Sequence, residues 1–251
     1  MWRERVGCCS GTSHAGGDRG TEDISVAESA AMPATSFAAQ AERCYTRFAG
    51  AYVRGRRPDL DGGSDEEAVI RGVEAGLRLH RFKRTRVLPR ISRVLGTLRG
   101  IDPSSLLDVG TGRGVFLWPL LEAFPSLPVT CVDVDPERVR QLGCVATGGI
   151  PNLCVHAFDV TALPFDDHAF DVVTALEVLE HVERTEEAVR QIVRVSRRFV
   201  LVTVPSHADD NPLHVHTFTA ERLRREFLGA GAARVEMDAV LNHLVLTVRT
   251  S

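Results

Sequence analysis

The chain has 251 residues, 44% hydrophobic and 25% charged, with a formal net charge of −3. That length accommodates one large α/β domain, or one domain plus a small appendage, and the apolar fraction suffices for a real core. The charge balance excludes a general drive toward nucleic acid or anionic membrane, and the absence of an apolar run of about 18 residues or of a hydrophobic signal core argues against a membrane span or secretion.

Residues 1 to about 40 are rich in Gly, Ser, Ala and charged residues without apolar periodicity, the signature of a disordered leader, and Met32 is a plausible later start. Apolar residues then recur at helical spacing from Ala41 to Val53 and from Asp65 to Leu98, with Ser64 and Asp65 placed to cap the second stretch. Two or three helices are therefore expected over residues 41–100, as a helical cap on a domain spanning 101–251.

After Asp102-Pro103 short apolar runs alternate with helical stretches. The strand candidates are Leu106 to Val109, Val129 to Val132, Leu153 to Val155, Val172 to Ala175 and Phe199 to Val204. Such alternation implies a doubly wound, mostly parallel sheet covered on both faces. The tail differs: Ala220 to Leu228 reads as a helix, and Ala233 to Met237 and Leu244 to Val248 as strands of a hairpin at one sheet edge. The six cysteines contain no Cys-x-x-Cys pair, and Cys131 lies inside an apolar strand, so reduced thiols and a cytoplasmic setting are expected. Lys83 is the lone lysine among 30 basic residues, a bias that carries no functional weight.

The most informative stretch is Leu-Leu-Asp-Val-Gly-Thr-Gly-Arg-Gly at residues 106–114, a strand that runs into a glycine-rich turn. Helix is expected from Arg113 to Glu122. Such a turn lets the backbone approach a bound nucleotide-like ligand. The dinucleotide pattern Gly-x-Gly-x-x-Gly is weakened because Val115 occupies its third glycine position. A second strand ends in Asp133, 23 positions after Gly110, the range for a carboxylate that holds a ribose diol. Asp133 is equally able to cap a helix starting near Pro136, as is Asp135.

Asp108, Gly110, Gly112 and Gly114 together resemble the first motif of class I S-adenosylmethionine-dependent methyltransferases, and the resemblance extends over roughly residues 101 to 251. It implies a Rossmann-like seven-stranded sheet ending in an antiparallel hairpin, with S-adenosylmethionine as cofactor. The sulfonium would be held by the Gly110 to Gly114 turn and Asp108, with Thr111 and the Arg113 backbone alongside. Asp133 would take the ribose, Asp159 and Val160 the adenine, Val134 would belong to the same cofactor site, and Leu176 would end the fourth strand beside them. In methyltransferases of this kind the N-terminal helices also shape the substrate pocket, which makes Tyr45, Phe48 and Tyr52 pocket-wall candidates.

Just past the fourth strand stands Glu177-Val-Leu-Glu180-His181, followed at a distance by His214-Val-His216. On a helix, Glu177, Glu180 and His181 would share one face. With His216 they could bind a divalent cation such as Mg, which would lower the pKa of a substrate hydroxyl. This resembles the pattern of small-RNA 2′-O-methyltransferases and, in its first half, ubiquinone-pathway O-methyltransferases. The same run also resembles a widespread form of this segment in methyltransferases with no known metal. Without metal, His181 or His216 is the expected general base. The segment 205–216 reads as a substrate-contacting loop, with Asn242-His243 of the terminal hairpin near it.

The leading expectation is methyl transfer to oxygen on a small molecule. The alternatives are a metal-dependent RNA 2′-O-methyltransferase, which the lack of a basic stripe disfavours, and a non-catalytic S-adenosylmethionine-binding protein.

Overall fold

A computed structural model describes residues 44–84, 86–207 and 211–251, so the expected leader at 1–40 and the start of the first predicted helix lie outside the described residues. The first helix, α1, runs Thr46–Arg56. The long stretch read as helical from Asp65 divides in two. Helix α2 spans Asp65–Glu74, where Ser64 caps it by accepting a hydrogen bond from the Glu67 amide, and α3 spans Pro89–Ile101. Gly76, at φ +79, and Pro89 explain the division: the first ends a helix and the second begins one.

Seven strands follow: β1 (Leu106–Val109), β2 (Val129–Asp133), β3 (Leu153–Ala157), β4 (Phe170–Leu176), β5 (Ser196–Pro205), β6 (Arg234–Val240) and β7 (His243–Arg249). They form one sheet in the order β3-β2-β1-β4-β5-β7-β6. Strands β1 to β5 pair in parallel, and β7 pairs antiparallel with both β5 and β6. The expected hairpin is thus present, with its second strand on the inside. Helices α4 (Leu117–Ala123), α5 (Pro136–Thr147), α6 (Thr185–Val195) and α7 (Ala220–Gly229) connect the strands.

Successive residues of a strand point to opposite faces, and both faces are buried here. Leu106 packs with α1, α3, α4 and α5, whereas its neighbour Leu107 packs with α6 and α7. The N-terminal helices share the first of these cores: Phe48 stacks on Trp118 with centroids 5.6 Å apart, and Phe82 lies 4.9 Å from the same ring. Trp118 Nε1 donates to the Arg81 carbonyl at 3.1 Å. Tyr45, Phe48 and Tyr52, expected on a pocket wall, are buried in this aromatic core and line neither of the cavities described below. Among the described residues no helix is long and apolar enough to cross a membrane.

The chain leaves β1 toward β2 and β3, then returns to the other side of β1 with β4. That reversal opens a crevice at the carboxyl ends of β1 and β4, where open α/β sheets bind ligands.

Candidate active site

The crevice at the strand ends has a volume of about 950 Å³. It collects Asp108, the Gly110 to Arg113 turn, Asp133, Val134, Asp159, Val160 and Leu176, the cofactor-binding residues expected from the sequence apart from Gly114 at the end of the turn. Helix does not begin at Arg113 as expected. The segment to Phe116 is a series of turns, and α4 starts at Leu117. The reason lies in Gly112 and Gly114, at φ +60 and +84, outside the right-handed helical region. At Gly114 a Cβ would also strike the Trp118 ring at 2.3 Å. At Gly112 a Cβ would meet no atom nearer than 3.8 Å, so there the missing side chain leaves room in the crevice.

Asp133 holds the turn in place. Its buried carboxylate accepts from the Gly112 amide at 2.8 Å and the Asp135 amide at 3.0 Å. The helix-capping role belongs to Asp135, whose side chain accepts from Glu137 and Arg138 amides. Two bonds leave Asp133 with lone pairs to spare for a diol. Next to it Val134 is 67% exposed, an apolar surface on the crevice wall without a protein partner to cover it. Asp159 caps the short turn Val160–Ala162 through Oδ1, which accepts from the Thr161 amide and hydroxyl at 2.8 Å. The bond from the Thr161 backbone holds its pKa below the ordinary carboxylate value.

Asp108 is 2% exposed. Its Oδ1 accepts from the Thr174 hydroxyl at 2.8 Å, while Oδ2 is buried without a hydrogen-bond partner. Burial pushes its pKa up to about 7. A buried carboxylate oxygen left without a donor, on the wall of a crevice, suits a cationic ligand that supplies the missing partner. The residues present therefore fit S-adenosylmethionine: an orphaned acid for its charged end, a glycine opening, a paired carboxylate for the ribose and an apolar flank.

A second cavity of about 510 Å³ adjoins the first. Arg90, Glu177, His181 and Asn211 line both, and His207, His214 and His243 line the second. Here the structure corrects the sequence reading. Glu177, Glu180 and His181 do not share a helix face, because Glu177 sits at φ +58 and its amide donates to the Thr203 carbonyl at 2.9 Å, ending the strand on the sheet. Only a single 3-10 turn, Leu179–His181, follows.

The metal-ligating set changes accordingly. Ligand atoms of Glu180, His181 and His214 lie within 4.8 Å of one another, whereas Glu177 and His216 stand apart. Glu177 instead meets Thr203 Oγ1 at 2.7 Å, His243 Nε2 at 3.1 Å and Arg90 Nε at 3.6 Å. His216 puts Nε2 3.2 Å from the Glu183 carbonyl and lines neither of these two cavities. Val215 and His216 amides both point to the Glu180 carbonyl, and this pairing turns His214 inward in place of His216. His181 Nδ1 bonds the Leu213 carbonyl at 2.9 Å, which leaves the Nε2 lone pair exposed. Sequence reasoning missed Arg90, Phe158 and the closeness of His243 to Glu177. For His243 the only signal was its place in the hairpin, and for Arg90 there was none.

Residues 107–199 match a model described as a methyltransferase domain. Over 110 residues the chain is 31% identical to malonyl-[acyl-carrier protein] O-methyltransferase of Geobacter sulfurreducens, covering 44% of this chain and 40% of that protein. It is 28% identical to ajmaline N-methyltransferase of Rauvolfia serpentina, covering 42% and 36%. The matches thus span less than half the length of these two curated relatives. A solved SAM-dependent methyltransferase from Aquifex aeolicus superposes with a TM-score of 0.54 at 20% identity, covering 64% of this chain and 89% of that one. With the motif I turn, the paired Asp133 and the β7-inserted sheet already described, these likenesses mean that the chain carries a methyltransferase domain over residues 107–199, in the fold of the class I S-adenosylmethionine-dependent methyltransferases.

Proposed function

We propose that this protein transfers a methyl group from S-adenosylmethionine to an oxygen of a small polar acceptor. The observation that carries the reading is the contact between the two cavities: the glycine-turn crevice opens directly onto the imidazole-lined one, with Glu177, His181 and Arg90 on the shared wall. The cofactor supplies an electrophilic methyl group. The chain's own residues supply everything else: Asp108 faces the charged end, Asp133 holds the ribose, Val134 and Val160 flank the base, and Asp159 meets its polar edge. Holding donor and acceptor side by side accounts for much of such a rate enhancement. The relatives named above act on oxygen in one case and nitrogen in the other, so the preference for oxygen rests on the imidazoles, which take a hydroxyl proton near neutral pH.

A second reading adds a divalent cation, favoured by the Glu180, His181 and His214 cluster, whose mixed carboxylate and imidazole donors suit Mg, Mn or Zn. One experiment separates the readings: incubation with methyl-labelled S-adenosylmethionine and source-cell extract, with and without RNase and EDTA. Label in a small, RNase-resistant, EDTA-resistant product is the expected result. Loss of label on EDTA treatment supports the cation, loss on RNase treatment an RNA acceptor, and cofactor binding with no transfer to any fraction a non-catalytic role.

A further inference from the structure

We propose that Glu177 and His243 form a catalytic dyad in which His243 Nδ1 takes the acceptor's proton and Glu177 positions and supports the imidazole. This rests on the methyltransferase reading and names the proton acceptor within it.

Four observations converge. His243 Nε2 lies 3.1 Å from Glu177 Oε2, and both side chains are about three-quarters buried, with relative exposures of 22% and 25%. The other carboxylate oxygen is itself fixed, by the Thr203 hydroxyl at 2.7 Å with Arg90 at 3.6 Å. Glu177 is held at φ +58, a conformation that costs a non-glycine residue energy and that clusters where geometry matters. Finally, Glu177 lines both cavities while His243 lines the second, so the pair bridges donor and acceptor compartments.

The tautomer follows from the contact. Because Glu177 is an acceptor, Nε2 carries the hydrogen, and Nδ1, which makes no hydrogen bond among the described residues, presents its lone pair. When the acceptor's O–H bond breaks, the proton binds Nδ1 and the bonding pair stays on oxygen to form the new O–CH3 bond, while the methyl's bond to the donor sulfur breaks and its pair returns to sulfur; the imidazolium sits against the Glu177 carboxylate. The proton then leaves to solvent through the open cavity. Among the described residues, the other imidazoles of the cavity have no carboxylate supported as Glu177 is: His214 Nε2 lies 3.0 Å from the Asn211 side-chain nitrogen, His207 Nδ1 lies 3.1 Å from the Ser206 hydroxyl, and His181 bonds the Leu213 carbonyl through Nδ1 and groups with Glu180.

The groups that bear on His243 charge are Glu177 from the end of β4, Arg90 from α3, His207 after β5, and Glu180, His181 and His214 across the cavity. Its strand partners, Pro205 of β5 and Val240 of β6, carry no charge.

Two readouts test the dyad. In the first, kcat and KM are measured with methyl-labelled S-adenosylmethionine and the extract fraction that accepts label, for wild type, His243→Asn and Glu177→Gln. The expected result is a fall in kcat of about 100-fold or more for His243→Asn, with cofactor affinity by calorimetry unchanged. The second needs no turnover: in 15N-histidine-labelled protein, the His243 resonance, assigned by its loss in His243→Asn, reports the tautomer. Wild type should show the Nε2–H tautomer, and Glu177→Leu, which removes the accepting carboxylate, should lose that preference. A His243→Asn enzyme within threefold of wild-type kcat, or a wild-type His243 that carries its hydrogen on Nδ1, would overturn the dyad. A wild type that binds cofactor yet labels no fraction overturns instead the methyltransferase reading, and the resonance still decides whether the pair exists.

Discussion

At the scale of single residues, Asp133 and Asp108 carry the strongest expectations. Asp133 both ties the glycine turn to β2 and faces the cofactor crevice, so Asp133→Ala removes a charged hydrogen-bonding group from each role. We expect S-adenosylmethionine affinity, measured by calorimetry, to fall by about 10- to 100-fold, the equivalent of one or two charge-assisted bonds. Asp108 is the reverse of the usual surface acid. Its pKa is raised to about 7 by burial, from 3.8 in the unfolded chain, so the native state holds the proton more tightly than the unfolded state does. Stability from that protonation is full below about pH 4 and is lost as the pH rises through about 7. Asp108→Asn lacks the titration while its amide oxygen still accepts from Thr174. The stability gap between variant and wild type, followed by urea unfolding, should therefore widen in the variant's favour from pH 4 to 7 and then stay level.

Among elements, α1 and α5 approach each other closely at two glycines. A Cβ on Gly55 would lie 2.0 Å from the Cys144 carbonyl oxygen, and one on Gly148 would lie 1.8 Å from that of Ala51. Backbone on both sides leaves little room to relax, so Gly55→Ala should destabilise by about 1–3 kcal/mol in urea denaturation. Gly96, exposed within α3 with no atom within 4 Å of a Cβ, is the matched control. Gly96→Ala should stabilise by about 0.5–1 kcal/mol, because alanine loses less backbone entropy on folding. The same scale explains what was legible in the chain. The β1 strand, its glycine turn and Asp133 are specified by neighbours a few residues away, and periodicity finds such features. The run from Glu177 to His181 has helical spacing but no helix, since a left-handed Glu177 held by Thr203 of β5 interrupts it, and spacing carries no trace of a cross-strand bond. The choice of His214 over His216 likewise depends on amides reaching the Glu180 carbonyl from a loop more than 30 residues away.

Across the whole molecule, the helices at 46–101 and the sheet share one apolar core, joined at Trp118. We expect a single cooperative unfolding transition: far-UV circular dichroism and the fluorescence of Trp118, isolated by Trp2→Phe, should give coincident midpoints in urea. Two separate transitions would mean that the helical cap folds on its own. One consequence concerns the order in which the parts are made. Strand β7 lies between β5 and β6, and β6 has no other partner in the sheet. While the chain is still being synthesised, β5 is an unpaired edge and the hairpin has nothing to close on until residue 249 has left the ribosome. The cofactor crevice, lined by residues between 90 and 213, can assemble earlier than the wall contributed by His243. A nascent chain could thus complete the crevice for the methyl donor before the hairpin closes the adjoining cavity, and the exposed flank of β5 is where a chaperone would find it.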